Sequence, residues 1–328
     1  MLDLIDPWTE GLIMEKIRIG VSTCLLGESV RYDGGHARDR YVTDTLGLYM
    51  EFVPVCPEME AGFGVPREPI RLEGDPASPR LISVNTKKDL TDTMTAWAQR
   101  RVRELEKEEI CGFIFKSNSP SSGMERVKVY TENGMPVKKG VGLFARAFME
   151  HFPLIPVEEE GRLHDPHLRE NFIERIFTLN RWRQMLKGKK SAGALVGFHT
   201  RHKLLILSHS TKHYREMGKL VAETKGKKIS EIYARYEILL MEALGLKATV
   251  KKHTNILQHM MGYFKKQLTA DEKQELLEVI NDFYSGLVPL IVPLTLFKHY
   301  VRKYGQPYLK DQFYLTPHPM ELKLRNRV

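Results

Sequence analysis

Cysteine is scarce in this sequence, and no long stretch of it is continuously apolar. Three cysteines, Cys24, Cys56 and Cys111, spread over the first third of the chain cannot form the disulfide framework of a small secreted domain. Each must be accounted for singly, as a core residue, a nucleophile or a metal ligand. The best candidate for a membrane span, residues 287–297, is interrupted by Pro289 and Pro293 and falls short of the roughly 18 apolar residues that a bilayer demands. The opening residues carry Asp3, Asp6 and Glu10 and no basic stretch, unlike a signal peptide, so a cytoplasmic location without a membrane partner is expected. No internal repeat is apparent.

What is present is an ordinary globular composition, 42% hydrophobic and 28% charged over 328 residues, a length suited to two domains. The charge is unevenly spread: residues 1–160 carry a net −6 and residues 161–328 a net +15, which together make the chain's +9. Such asymmetry suggests two units of different duty, and a basic second unit suits a polyanionic partner such as a nucleotide or RNA, though it equally suits a solvated helical surface.

Taken in order, the first half alternates strands with helices. Charged and apolar residues alternate over residues 16–22 and then give way to a Gly-containing loop with Cys24. A helix over residues 39–49 leads to a second strand, residues 51–55, which delivers Cys56 and Glu58. The loop Gly62-Phe63-Gly64-Val65-Pro66-Arg67-Glu68-Pro69 is irregular because its prolines fix φ and remove donors. Residues 87–109 form a helical pattern with one apolar face, followed by a buried central strand over 110–116. That strand empties into Ser117-Asn118-Ser119-Pro120-Ser121-Ser122-Gly123. A short strand over 127–130, a turn at Asn133-Gly134 and a helix over 140–151 complete the unit.

This alternation predicts a three-layer α/β domain with a mostly parallel sheet, residues 1–155, whose ligands belong at the carboxyl ends of the strands. Three loops meet that description, those holding Cys24, Cys56 and the serines. Residues 153–161, with their run of glutamates, look like a linker. Beyond it, residues 156–328 form an all-α domain, with helices over 168–186, 192–208, 213–223, 229–244, 249–267, 270–286 and 293–304. Asp165-Pro166 and the Thr269-Ala270-Asp271-Glu272 capping box mark helix starts. A basic tail from residue 308 packs as an extended arm.

Thiols gathered at strand ends favour a soft metal or an iron–sulfur cluster, and a carboxylate such as Glu58 then serves as base toward a polarised water. Two buried core cysteines, or a nucleophilic Cys56 paired with His36, remain alternatives at this level. The motifs Ser22-Thr23-Cys24-Leu25-Leu26-Gly27-Glu28, Arg31-Tyr32-Asp33-Gly34-Gly35, Pro54-Val55-Cys56-Pro57-Glu58, Lys116-Ser117-Asn118-Ser119-Pro120-Ser121-Ser122-Gly123 and Gly140-Val141-Gly142, in that order, resemble the thiouracil desulfurase (TudS-type) family over about residues 14–155. The second half resembles the YbgA-like domain of unknown function, through Phe198-His199-Thr200-Arg201-His202-Lys203, Lys252-His253-Thr254-Asn255-Ile256-Leu257-Gln258-His259, Pro289-Leu290-Ile291-Val292-Pro293-Leu294 and Pro317-His318-Pro319-Met320-Glu321-Leu322.

The first resemblance implies non-redox desulfuration of a thiolated uracil base or nucleotide at a 4Fe-4S cluster held by three cysteines, with one iron open to the sulfur. It implies Cys24 and Cys56 as ligands, Glu58 as acid/base and Ser119 as a substrate-orienting hydroxyl, with Ser121, Ser122, Gly123 and Arg67 around the substrate. The family's third cysteine corresponds to Ser122, a poorer iron ligand than a thiolate. The third ligand is therefore Ser122 or Cys111, or the cluster is absent and the chain is a nucleic-acid-associated binding protein with a degenerate first domain. In the second half, His199 and His202 share a helix face, with polar contacts favoured over metal. His209, His213, His253 and His259 add to a histidine-rich interior or cleft. Arg201, Lys203, Lys212, Arg215, Lys251 and Lys252 would give such a cleft a potential suited to phosphate. Aromatic residues from Tyr263 to Tyr300 at helical spacing belong to the bundle core.

Overall fold

The computed structural model describes residues 15–131, 134–224 and 226–326, and the chain divides into two compact units, Met1–Leu168 and Arg169–Val328. The acidic opening residues and Asn133 of the expected turn lie outside the described residues.

In the first unit the chain runs β1 (Ile17–Ser22), β2 (Met50–Val55), α1 (Pro57–Glu60), β3 (Ile70–Glu73), β4 (Arg80–Ser83), α2 (Thr91–Leu105), β5 (Phe113–Phe115), β6 (Val127–Tyr130), β7 (Pro136–Gly140), α3 (Leu143–His151) and β8 (Val157–Glu159). The main sheet has the order β2-β1-β5-β8 and every neighbouring pair is parallel. The α/β class with a parallel sheet is thus as the sequence predicts. β1 pairs with β2 from Ile17 and Met50 to Ser22 and Val55, so their carboxyl ends open on the same edge. Gly20 lies where a Cβ would sit 2.2 Å from the Phe113 ring, so glycine alone lets β1 and β5 close up. Phe113, Phe115, Phe144 and Phe148 are fully buried and pack α3 on β5 with ring centroids 4.3–6.1 Å apart. Trp97 of α2 joins them, 5.3 Å from Phe144.

A second four-stranded sheet, ordered β4-β3-β6-β7, mixes antiparallel and parallel pairs. Only β6 of its strands is apparent in the sequence. The others are four or five residues long and carry Arg71, Glu73, Lys138 and Lys139, so neither length nor polarity separates them from loop. The expected helix over 39–49 is a π-helical turn, Tyr41–Thr45, running into a 3-10 turn, Leu46–Leu48. The predicted helix at 87–109 starts only at Thr91.

The linker expectation is corrected. Residues 157–159 are the edge strand β8, paired parallel to β5 from Phe113 and Val157 to Phe115 and Glu159. Glu158, Glu159 and Glu160 are buried, each with an ion-pair or hydrogen-bond partner. Arg162 pairs with Glu158 at 2.5 Å, the Met124 N–H donates to Glu159 at 2.9 Å, and Glu160 meets the serine loop.

The second unit is helical: α4 (Pro166–Leu186), α5 (Ala192–His209), α6 (Thr211–Ala222), α7 (Ile229–Gly245), α8 (Val250–Met261), α9 (Ala270–Tyr284), α10 (Ile291–Lys303) and α11 (Pro307–Lys310). Asp165 caps α4 by accepting the N–H groups of His167 and Leu168 at 2.8 and 3.1 Å, and the Thr269/Glu272 capping box opens α9. Trp182, fully buried, stacks on Tyr236 with centroids 5.1 Å apart.

The histidines expected to line an interior or cleft are largely core. His199, His202, His209 and His253 are all buried. His199 bonds Tyr236 at 3.1 Å, His202 bonds the Phe198 carbonyl at 2.8 Å, and His253 bonds Tyr314 at 2.9 Å, the polar contacts the spacing favours. The Lys252 ammonium donates to the carbonyls of His209 and Lys247, and Lys203 lies over the Tyr308 ring. These cations serve the bundle's own structure. The tail packs, with Tyr314, Leu315 and Arg325 buried.

Candidate active site

Parallel pairing brings the three expected loops to one edge of the main sheet. β1 ends at Ser22, whose hydroxyl accepts the Lys116 N–H at 2.9 Å and so ties the first loop to the third. Cys24 sits in the tight turn Thr23–Leu26, closed by Gly27 at φ +98°, a left-handed conformation that favours glycine. Cys56 caps α1, with Pro57 in the first helical position, and its N–H donates to Glu60 at 2.9 Å. Glu58 follows in the first turn.

The serine loop is built on side chains. The Ser119 hydroxyl accepts the N–H groups of Ser121 and Ser122 at 3.3 and 3.1 Å and meets the Ser121 hydroxyl at 2.9 Å, a local turn typical of serine. The Ser121 hydroxyl donates onward to Glu58 Oε1 at 2.5 Å. Gly142 lies so close that a Cβ would stand 2.5 Å from the Ser121 backbone. The Phe144 and Ala145 N–H groups at the start of α3 both meet the Ser121 carbonyl. From the other side Glu160 accepts the Ser117 N–H at 2.7 Å and the Ser117 hydroxyl at 2.8 Å, and pairs with the Lys116 ammonium.

These loops enclose a cavity of about 420 Å³ whose lining includes Cys24, Cys56, Glu58, Arg67, Lys116, Ser119 and Ser122. The Cys56 thiol points at Glu58 Oε2, 3.7 Å away, and the Arg67 guanidinium stands 3.9 Å from the same oxygen. Arg67 is held by the carbonyls of Val30 and Gly64 at 3.1 and 2.8 Å. Burial, with the Glu58 charge adding to it, pushes the Cys24 thiol up to about 11 and the Cys56 thiol up to about 12. Thiols of that kind stay protonated at neutral pH unless a cation takes them as thiolates. The cysteine–histidine alternative fails, because His36 is exposed, accepts the Arg38 N–H and does not line the cavity.

Cys111 is the clear miss among the candidates. Its N–H donates to the Arg18 carbonyl at 2.8 Å, which fixes it level with the start of β1, and its sulfur faces the Glu109 carbonyl. The run from Arg18 to Ser22 alone spans roughly 13 Å. Cys111 therefore belongs to the core at the opposite end of the sheet, and Ser122, not Cys111, lines the cavity with Cys24 and Cys56, the Ser122 hydroxyl having no hydrogen-bond partner among the described residues.

Ser121 and Gly123 are also displaced from the expected substrate wall. Ser121 is fully buried behind Glu58, and Gly123 packs where a Cβ would meet Val127 at 2.5 Å. Glu160 is the residue that sequence reasoning missed, since three glutamates in a row read as a solvated charge run. Two thiols at strand ends with one hard oxygen donor beside them fit a soft-metal or iron–sulfur group at two positions and less well at the third.

A 2-thiouracil desulfurase family model matches residues 19–160, and a model of a protein family of unknown function, DUF1722, matches residues 203–319. The chain is 33% identical over 158 residues to the uncharacterized protein YbgA of Escherichia coli K12, a match covering 48% of this chain and 94% of that protein. It is 31% identical over 108 residues to the uncharacterized protein YbbK of Bacillus subtilis 168, covering 31% of this chain and 71% of YbbK. The chain belongs to the family of YbgA, and its residues 19–160 match the 2-thiouracil desulfurase family model. Among solved structures it resembles the [4Fe-4S]-dependent thiouracil desulfidase TudS, at 28% identity and a TM-score of 0.38, over 46% of this chain and 95% of that one. The desulfurase match ends at residue 160 and so takes in β8 and Glu160, the segment that closes the serine loop.

Proposed function

We propose that the first unit removes sulfur from a thiolated uracil base, exchanging C=S and water for C=O and hydrogen sulfide. The observation that carries this reading is the convergence of Cys24, Cys56 and Glu58 on one cavity, in a segment matched by the 2-thiouracil desulfurase family. Cys24 and Cys56 would hold an iron–sulfur cluster, with the Ser122 oxygen at the third position. Bound there, the cluster would supply a Lewis-acidic iron for the thiocarbonyl sulfur.

The chain's own residues do the rest. Glu58 is fixed by the Ser121 hydroxyl on Oε1, which leaves Oε2 to take the proton of the attacking water and return it to the departing sulfur. With Cys56 held as a thiolate ligand, its S–H contact to Oε2 would be lost and that oxygen would be free to act. Arg67 and Ser119 line the space beside Glu58 and orient the base. A nucleotide or RNA as the larger substrate rests on the +15 charge of the second half alone.

Anaerobic reconstitution tests the reading. Iron and acid-labile sulfide should bind, and thiouracil should release sulfide. Glu58→Gln should keep its iron while losing sulfide release by about two orders of magnitude or more. A protein without iron after reconstitution, or full turnover by Glu58→Gln, would overturn it, and the former outcome would favour a binding protein with a relic of the site.

A further inference from the structure

The second unit has a constellation of its own. Glu170 and Glu174 lie four residues apart on α4, on one face of the helix, and the C-terminal arm brings His318 to them. One ligating atom from each of the three comes within 4.8 Å of the other two. His318 is 9% exposed. Its Nδ1 donates to the Pro319 carbonyl at 3.1 Å, which fixes the tautomer and leaves the Nε2 lone pair aimed into the cluster. That Nε2 is buried and meets no hydrogen-bond partner among the described residues. A histidine oriented through one nitrogen by a backbone carbonyl, with the other bare and facing carboxylates, has the arrangement of a metal ligand.

The present occupant is Arg325, whose guanidinium reaches Glu170 at 2.9 Å and Glu174 at 2.5 Å and donates to the Tyr314 carbonyl. Glu174 also meets His209 at 3.1 Å, while Glu170 keeps one oxygen with no described partner and 20% of its side-chain surface open to solvent.

We propose that Glu170, Glu174 and His318 form a binding site for a divalent first-row cation, with the Arg325 guanidinium as its competitor. One imidazole nitrogen and two carboxylates are the donors that Zn²⁺ or Mn²⁺ takes, and the open side of Glu170 is the way in. His318 and Arg325 sit on the same arm, so the ion and the guanidinium are alternative clasps between that arm and α4. Two cations beside two carboxylates would leave a net positive charge in a buried place, which is what makes them exclusive.

The test uses the full chain with Cys24→Ser and Cys56→Ser, so that neither cavity thiol competes, stripped of metal and titrated with Co²⁺ as a spectroscopic stand-in. About one equivalent should bind with ligand-field absorption and no sulfur-to-metal charge transfer. His318→Ala should weaken binding about ten-fold or more, and Arg325→Met should tighten it. The thermal midpoint of Arg325→Met should also rise when Zn²⁺ is added. Absence of Co²⁺ binding, or binding that His318→Ala leaves unchanged, would overturn the site. If Arg325→Met does not fold, the His318→Ala comparison still decides.

Discussion

Ser122 sets the terms at the residue scale. It occupies the cavity wall beside two thiols that burial keeps protonated, and a neutral hydroxyl gives iron a weaker hold than a thiolate would. Ser122→Cys should therefore convert a marginal donor set into a full one. Reconstituted Ser122→Cys is expected to retain its iron through desalting and to lose it about ten-fold more slowly than the parent. Iron-to-protein ratios followed in a chelator check this, and equal decay in the two proteins would remove Ser122 from the ligand set. Ser121, one residue earlier, has a different duty: its hydroxyl is buried against Glu58 and positions the carboxylate.

At the scale of elements, β8 matters more than its three residues suggest. It closes the edge of the main sheet beside β5 and hands Glu160 to the Ser117 backbone and hydroxyl. Removing that carboxylate leaves the Ser117 N–H without its acceptor and the Lys116 ammonium without its counter-ion, with only the Ser117 carbonyl and hydroxyl to donate to. Glu160→Ala should cost about 2 kcal/mol, with Glu160→Gln costing less because its amide oxygen still accepts. Urea unfolding of the two variants measures the difference, and a Glu160→Ala midpoint equal to the parent's would mean the loop stands without this brace.

The same element marks the boundary of what the sequence made legible. β1, β2 and β5 were visible because they are apolar or alternate cleanly, and the loops after them carry the Cys24, Cys56 and serine motifs. Most of the helices of the second unit were visible through period and caps, Thr269 with Glu272 above all. β8 was hidden because its side chains are glutamates whose burial depends on Arg162, Met124 and Lys116, partners that only the folded chain assembles. β3, β4 and β7 were hidden because they are short and carry charged residues, Arg71, Glu73, Arg80, Lys138 and Lys139. Cys111 was open to misassignment because a cysteine's place along a strand depends on register, and the register set by the Arg18 carbonyl puts it at the wrong end.

For the whole molecule, the distribution of histidine makes the two units differ in acid. Among the described residues of the first unit, His36, His151, His164 and His167 are exposed. In the second unit burial holds His199 down to about 4 and His253 down to about 3, and keeps His202 well below its ordinary range, with the charges of Lys203, Arg325 and Arg181 respectively adding to the effect. A histidine that stays neutral in the fold but titrates near 6.5 when unfolded favours the unfolded chain as pH drops below that value. The stabilisation is complete above about pH 6.5 and is lost progressively down to the folded values near 3–4. Each such group removes about 1.4 kcal/mol per pH unit in that window; His318, held down to about 4 by burial, adds a fourth and Glu170, raised by burial to about 7, offsets one, so together they remove roughly 4 kcal/mol per unit, against a typical domain stability of about 5–15 kcal/mol. The helical unit should therefore unfold near pH 5, while the α/β unit, whose buried Glu159 is raised by desolvation and so gains from acid, persists lower. Far-ultraviolet circular dichroism would lose most of its helical signal in that first step. Replacing His253 with Gln, which cannot take the proton and keeps a partner for Tyr314, should move the step to lower pH, and a step unmoved by that change would assign the acid lability elsewhere.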